Sequence, residues 1–237
     1  MYLHGKYRET DKMCDLVYEH YRVLLVMSRF GIGLGFGDKT IGEVCRETGV
    51  DVRTFMAVVD VHIFPDDEQN VNILEVSVEA LLAYLHLSHD YFLQYRLPGI
   101  HAKLEEILCR EHDVLAKAIL LYFDEYVAEV SRHMTYEEKT VFPYVRALLS
   151  GKQQKRYSIT MFEKQHDRIE LRLKEFKQII IRFYPSQSTN EINSVLFDIF
   201  NCEQDLAAHN KVENSLLIPA IMKIERQHHS KKHGRIN

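Results

Sequence analysis

The chain has 237 residues, 46% of them hydrophobic, so it carries enough apolar matter for a sizeable core and is too apolar to remain disordered. A formal net charge of −4 gives no overall pull towards nucleic acid or an anionic membrane. Only ten glycines and five prolines interrupt stretches rich in Leu, Glu, Lys and Val, which makes an all-α protein the expected class.

The amino-terminal MYLHGKYRETDKM lacks the apolar centre of a signal peptide, and no apolar run approaches the ~18 residues needed to span a bilayer. The expectation is a cytoplasmic protein with no membrane partner. Cys14, Cys45, Cys109 and Cys202 form no CxxC pair, so reduced thiols are expected rather than a disulfide framework or a thiolate zinc site.

In chain order, the pattern predicts a first helix over residues 11 to 29. GIGLGFGD follows at residues 31 to 38, where glycines permit positive φ or close backbone approach. Two short helices complete this module: TIGEVCRETG, capped by Thr40 and stopped by Gly49, and DVRTFMAVVD, capped by Asp51. HIFPDDEQN, with Pro65, then separates a small helical module, residues 1–66, from a region at residues 71–227 holding four long periodic segments.

The first of these runs from residue 72 to 96 and is expected to stop at LPG, residues 97 to 99. The second ends near residue 149; as one helix from residue 100 it would be about 75 Å long, so a break is expected at CREHD, residues 109 to 113. The third covers residues 159 to 183 and the fourth 191 to 227, leaving a basic, frayed tail at 228–237. Four such helices make an antiparallel four-helix bundle.

Two stretches of the second region share one pattern: HMTYEEKTVFP at residues 133 to 143 and HNKVENSLLIP at 209 to 219, both HxxxExxxxxP. On a helix, residues four apart stand on one face about 6 Å apart along the axis, so His133 with Glu137, and His209 with Glu213, can each point at one object. Imidazole and carboxylate together form a metal-ligand set, and inward-facing His/Glu helices are how bundles build two-metal sites.

The remaining helices supply candidates of their own. His166 lies on the apolar stripe of the third with Phe162, Ile169 and Leu173, and His89 shares a stripe of the first with Leu82, Leu85 and Leu93. His86 or Glu170 as a further ligand stays open. If His112 starts the helix that carries His133, the two stand about 31 Å apart, too far to share a metal pair. Glu138, Asp167 and Glu170 are placed to orient ligands. The set His89, His133, Glu137, His166, His209 and Glu213 favours two iron ions, with manganese the alternative, because zinc prefers thiolate or a closed tetrahedron.

His89, HMTYEEKTVFP, QHD at residues 165 to 167 and HNKVENSLLIP resemble, in order, the hemerythrin-like domain of the di-iron proteins that repair iron centres, the iron-sulfur cluster repair family. RFGIGLGFGDKTIGEVCRETGVD resembles that family's small amino-terminal domain, although Gly35 and Phe36 stand where the family carries two adjacent cysteines. The resemblance implies a hemerythrin-like four-helix bundle behind a small helical domain, with two non-haem irons bridged by oxo or carboxylate groups. It implies O2, NO or peroxide as small ligands and damaged iron-sulfur proteins as partners in a nitrosative or oxidative stress response. An alternative is O2 or NO binding or sensing without repair. Cys45 reads as a packing residue. A homodimer is left open. Residues 39 to 60 have a helix-turn-helix look, but Lys39, Arg46 and Arg53 face four carboxylates, which speaks against nucleic acid as a partner.

Overall fold

The computed structural model describes residues 7–64, 76–108, 114–151, 159, 166–185 and 189–233, and among them helices account for the regular structure, with one isolated antiparallel bridge between Lys12 and Thr40. The fold is all-α. No helix among the described residues is long and apolar enough to cross a membrane. The chain divides into two compact units, one formed by Met1–Ser88, Phe142–Thr160 and Ala208–Asn237, the other by His89–Val141 and Met161–Ala207.

In the first unit four helices open the chain: α1 (Met13–Glu19), α2 (Val23–Arg29), α3 (Ile41–Thr48) and α4 (Val52–Ile63). The single helix expected over residues 11 to 29 is therefore two. His20 leaves helical geometry at φ −136°, and its ring sits edge-on to Tyr7 and Phe64 at centroid distances of 5.6 and 6.4 Å. Tertiary aromatic packing has overridden local propensity there.

The capping signals hold. Thr40 accepts from the Glu43 N–H at 3.2 Å while Glu43 accepts from the Thr40 N–H at 2.8 Å, a reciprocal capping box, and Asp51 accepts from the Thr54 N–H at 2.8 Å. Gly49 ends α3 in the left-handed region at φ 71°. A different constraint applies at Gly42: a Cβ there would stand 3.1 Å from the Glu9 carbonyl oxygen, which itself accepts from the Gly42 N–H. Further along this unit, α5 (Val78–Asp90) brings Tyr84 against Phe30, and Tyr144 and the Ile159 N–H both donate to Glu225.

From α5 onward helices pass through prolines. A π-turn, here π1 (Tyr91–Arg96), leads into α6 (Leu97–Leu108), so LPG does not stop the helix as expected. α7 (Val114–Tyr136), π2 (Glu137–Val141) and α8 (Phe142–Leu149) form one run; α9 (His166–Phe183) follows; α10 (Thr189–Val212), π3 (Glu213–Leu217) and α11 (Ile218–His233) form another. The first bundle helix starts at Val78 rather than residue 72, and α11 continues through the tail to His233 instead of fraying at 228. The break expected at residues 109 to 113 lies outside the described residues, as do 72 to 75 and 160 to 165 at the starts of two expected segments.

The second unit has its own apolar core, in which Phe92, Phe123, Tyr126, Val130, Phe176 and Ile199 are each fully buried. Phe123 and Phe176 meet at 5.2 Å, and Tyr122 stacks on Phe176 at 5.7 Å. At the rim, Arg172 of α9 bridges Glu129 and Glu125 of α7 at 2.7 and 3.1 Å. Truncating Phe123 to Ala removes the centre of this aromatic cluster; urea unfolding is expected to show a loss of roughly 3 to 5 kcal/mol.

Candidate metal centre

The Glu137 carboxylate has no solvent exposure, and each oxygen faces an imidazole: His89 Nε2 lies 2.8 Å from Oε2 and His133 Nε2 lies 2.8 Å from Oε1. His133 lies in the last turn of α7 and Glu137 opens π2, so one turn of helix carries both. His89 comes from the last turn of α5. Its other nitrogen, Nδ1, stands 2.8 Å from Glu138 Oε1. A carboxylate at Nδ1 holds the ring proton there, which leaves the Nε2 lone pair for a metal.

The second copy of the motif repeats this local arrangement. His209 Nε2 lies 3.4 Å from Glu213 Oε1, with His209 1% exposed and Glu213 fully buried. One donor atom from each of His89, Glu137, His209 and Glu213 lies within 4.8 Å of the others, a group that could hold a metal ion.

The spacing of these donors fits metal binding. Two ligands bound at right angles to one ion at about 2.1 Å stand about 3 Å apart, close to the 2.8 and 3.4 Å found here. The donor chemistry fits as well, since imidazole and carboxylate suit a borderline-to-hard cation. Burying two carboxylates among histidines is costly unless charge of the opposite sign accompanies them.

Of the six expected ligands, the structure gathers four in one group and sets His133 directly against Glu137. The backbone of His166 opens α9, while its side chain lies outside the described residues. His86 is exposed, and so is Glu170; Glu138, one of the expected orienting groups, contacts His89, and the side chain of Asp167 lies outside the described residues. Elsewhere His62 pairs with Tyr84 Oη at 2.8 Å and His101 with Asp124 at 2.9 Å. His112 lies outside the described residues.

One buried acid was missed. Asp205 stands one turn before His209 on α10 and is 4% exposed. The signal was present in the sequence, because an acid precedes each motif histidine by four positions. In the other copy that acid, Glu129, is engaged instead by Arg168 at 2.9 Å and Arg172 at 2.7 Å. Cys45 is fully buried in α3, and burial pushes its thiol up to about 12, which matches a packing residue and not a nucleophile.

A helical protein with buried His/Glu pairs on separate helices fits the class that holds cations inside a bundle. Residues 80–221 match the hemerythrin HHE cation binding domain, and the chain belongs to that family. Among curated proteins none matches the chain.

Two outcomes follow. A binding cation present at a hundred times its Kd is expected to stabilise the fold by about 2.7 kcal/mol, and Glu137→Gln should abolish most of that gain in a thermal melt. Iodoacetamide at neutral pH should leave Cys45 unlabelled in the folded chain and reach it only after denaturation, as intact and peptide mass would report.

Proposed function

We propose that this protein holds two non-haem iron ions through His89, His133, Glu137, His166, His209 and Glu213, and that it serves in the cytoplasm in the repair of iron-sulfur clusters damaged by nitric oxide or oxidants. The observation that carries the metal part of this reading is Glu137, a carboxylate without exposure whose two oxygens each meet an imidazole nitrogen at 2.8 Å. Manganese is the alternative occupant, since the same donors accept it. When bound, an iron pair supplies sites for O2, NO or peroxide and a store of iron or electrons for a damaged cluster.

The chain's own residues do three things in this reading. Glu137 and Glu213, one from each copy of the motif, offer carboxylates able to span two cations. Glu138 holds the Nδ1 proton of His89 and so fixes which nitrogen faces the metals. The surrounding apolar side chains, Leu85 and Phe92 beside His89 and Leu216 and Leu217 beside Glu213 in sequence, are buried and exclude water from the donors. Residues 71–227 make up the metal-holding bundle, residues 1–66 a separate helical module, and 228–237 a basic tail.

One observation favours a second reading, reversible binding or sensing of O2 or NO without repair. Gly35 and Phe36 occupy the loop where the resembled proteins carry adjacent cysteines, so that loop offers no thiol chemistry. A single set of measurements separates the two. Metal analysis of anaerobically isolated protein is expected to return two iron atoms per chain. Iron-loaded protein should restore activity to a cluster enzyme damaged by nitric oxide, with apoprotein inert. No restoration, together with a reversible spectral change on exposure to the gas and no loss of iron, would establish the sensing reading instead.

A further inference from the structure

Three prolines, Pro98, Pro143 and Pro219, lie inside continuous helical runs, where a proline has no N–H to donate and its ring collides with the carbonyl four residues back. Each stands two positions after the last residue of a π-turn: Arg96 then Pro98, Val141 then Pro143, Leu217 then Pro219. Every π-turn among the described residues has its proline, and Pro185, which follows α9 outside any helix, has no π-turn before it.

The hydrogen bonds give the physical reason. Ile218, directly before Pro219, donates its N–H to the Glu213 carbonyl five residues back, and Leu97, directly before Pro98, donates likewise to Phe92. The wider turn carries the chain past the carbonyl that the proline ring would strike. Leaving it skips one backbone bond, and proline is the residue that cannot make that bond in any case.

Two of the three turns open on a carboxylate of the metal centre, Glu137 at the start of π2 and Glu213 at the start of π3. In an α-helix residue i+4 lies about 40° past residue i around the axis. That offset holds between each histidine and its carboxylate, because the residues joining them are α-helical; the wider turn begins at the carboxylate itself, so it sets the backbone direction at the residue whose side chain is to be aimed, and the Glu213 carbonyl is itself the acceptor that closes π3.

We propose that Pro143 and Pro219 are positioning residues for the metal centre: by forbidding α-helical continuation they hold π2 and π3 open and thereby aim the Glu137 and Glu213 carboxylates. This rests on the metal-binding reading above and adds the element that makes the motif's proline part of the site. The final residue of HxxxExxxxxP then has the same purpose as the first two, although it touches no metal.

The test uses the full chain with Pro143→Ala, Pro219→Ala and the pair, and Pro185→Ala as a control. Alanine restores the missing donor and is the best helix former, so the metal-free variants should melt at the same temperature as the wild type or higher. Titration with cobalt(II), followed by its visible absorption, should show affinity weakened at least tenfold in each single variant and unchanged in Pro185→Ala. Weaker binding by a chain that is as stable as before, or more so, is a result that a merely structural role would not produce. Variants that bind cobalt(II) as tightly as a binding wild type overturn this proposal alone, as does a parallel fall in affinity and melting temperature. A wild type that binds neither cobalt(II) nor iron overturns the metal reading with it.

Discussion

A carboxylate shut away from water must meet positive charge or hydrogen-bond donors, and Glu137 has an imidazole nitrogen of His89 and one of His133 at 2.8 Å, a set of donors that a cation among them would complete. The features around it follow from that requirement. Two helical runs must each present an imidazole or a carboxylate at one level, His89 must have its proton held by Glu138, and the surrounding side chains must be apolar enough to keep the donors dry. A cation would supply what remains, because imidazoles are neutral as ligands and cannot offset two carboxylates by themselves. Membership of the hemerythrin HHE cation binding family is what such an interior leads one to expect.

The site is expensive in local structure as well as in charge. Helical runs that continue through Pro98, Pro143 and Pro219 give up backbone hydrogen bonds that an uninterrupted α-helix would keep. Helical irregularity of this kind next to a functional group is a common arrangement, and the rest of the fold has to hold it in place. Here the apolar contacts of the second unit, centred on Phe123 and Phe176, and the capped helices of the amino-terminal segment provide regular, well-satisfied structure on either side in sequence.

Much of this was legible before any coordinates. Caps at Thr40 and Asp51, the stop at Gly49 and the ends of helices at Leu149 and Phe183 were all readable, because capping and termination depend on residues within one or two turns. His89 could be separated from His86 by its apolar stripe, and the i, i+4 spacing made His133 with Glu137 and His209 with Glu213 pairs in their own right. Readings that depended on distant partners failed. The helix over residues 11 to 29 breaks because His20 packs between Tyr7 and Phe64, and LPG has the local signature of a terminator although a π-turn carries the helix through it.

By itself the amino-acid sequence determined an all-α chain, the donor types, and the helical spacing that sets each histidine over its carboxylate, since those depend on residue chemistry and on the pitch of one helix. Only the tertiary structure decided that His89 meets Glu137 across 48 positions of chain (137 − 89), that Glu138 reaches His89, and that helices run on through three prolines. Contacts of that kind are settled by how separate helices pack, and no local periodicity encodes the distance between side chains on different helices.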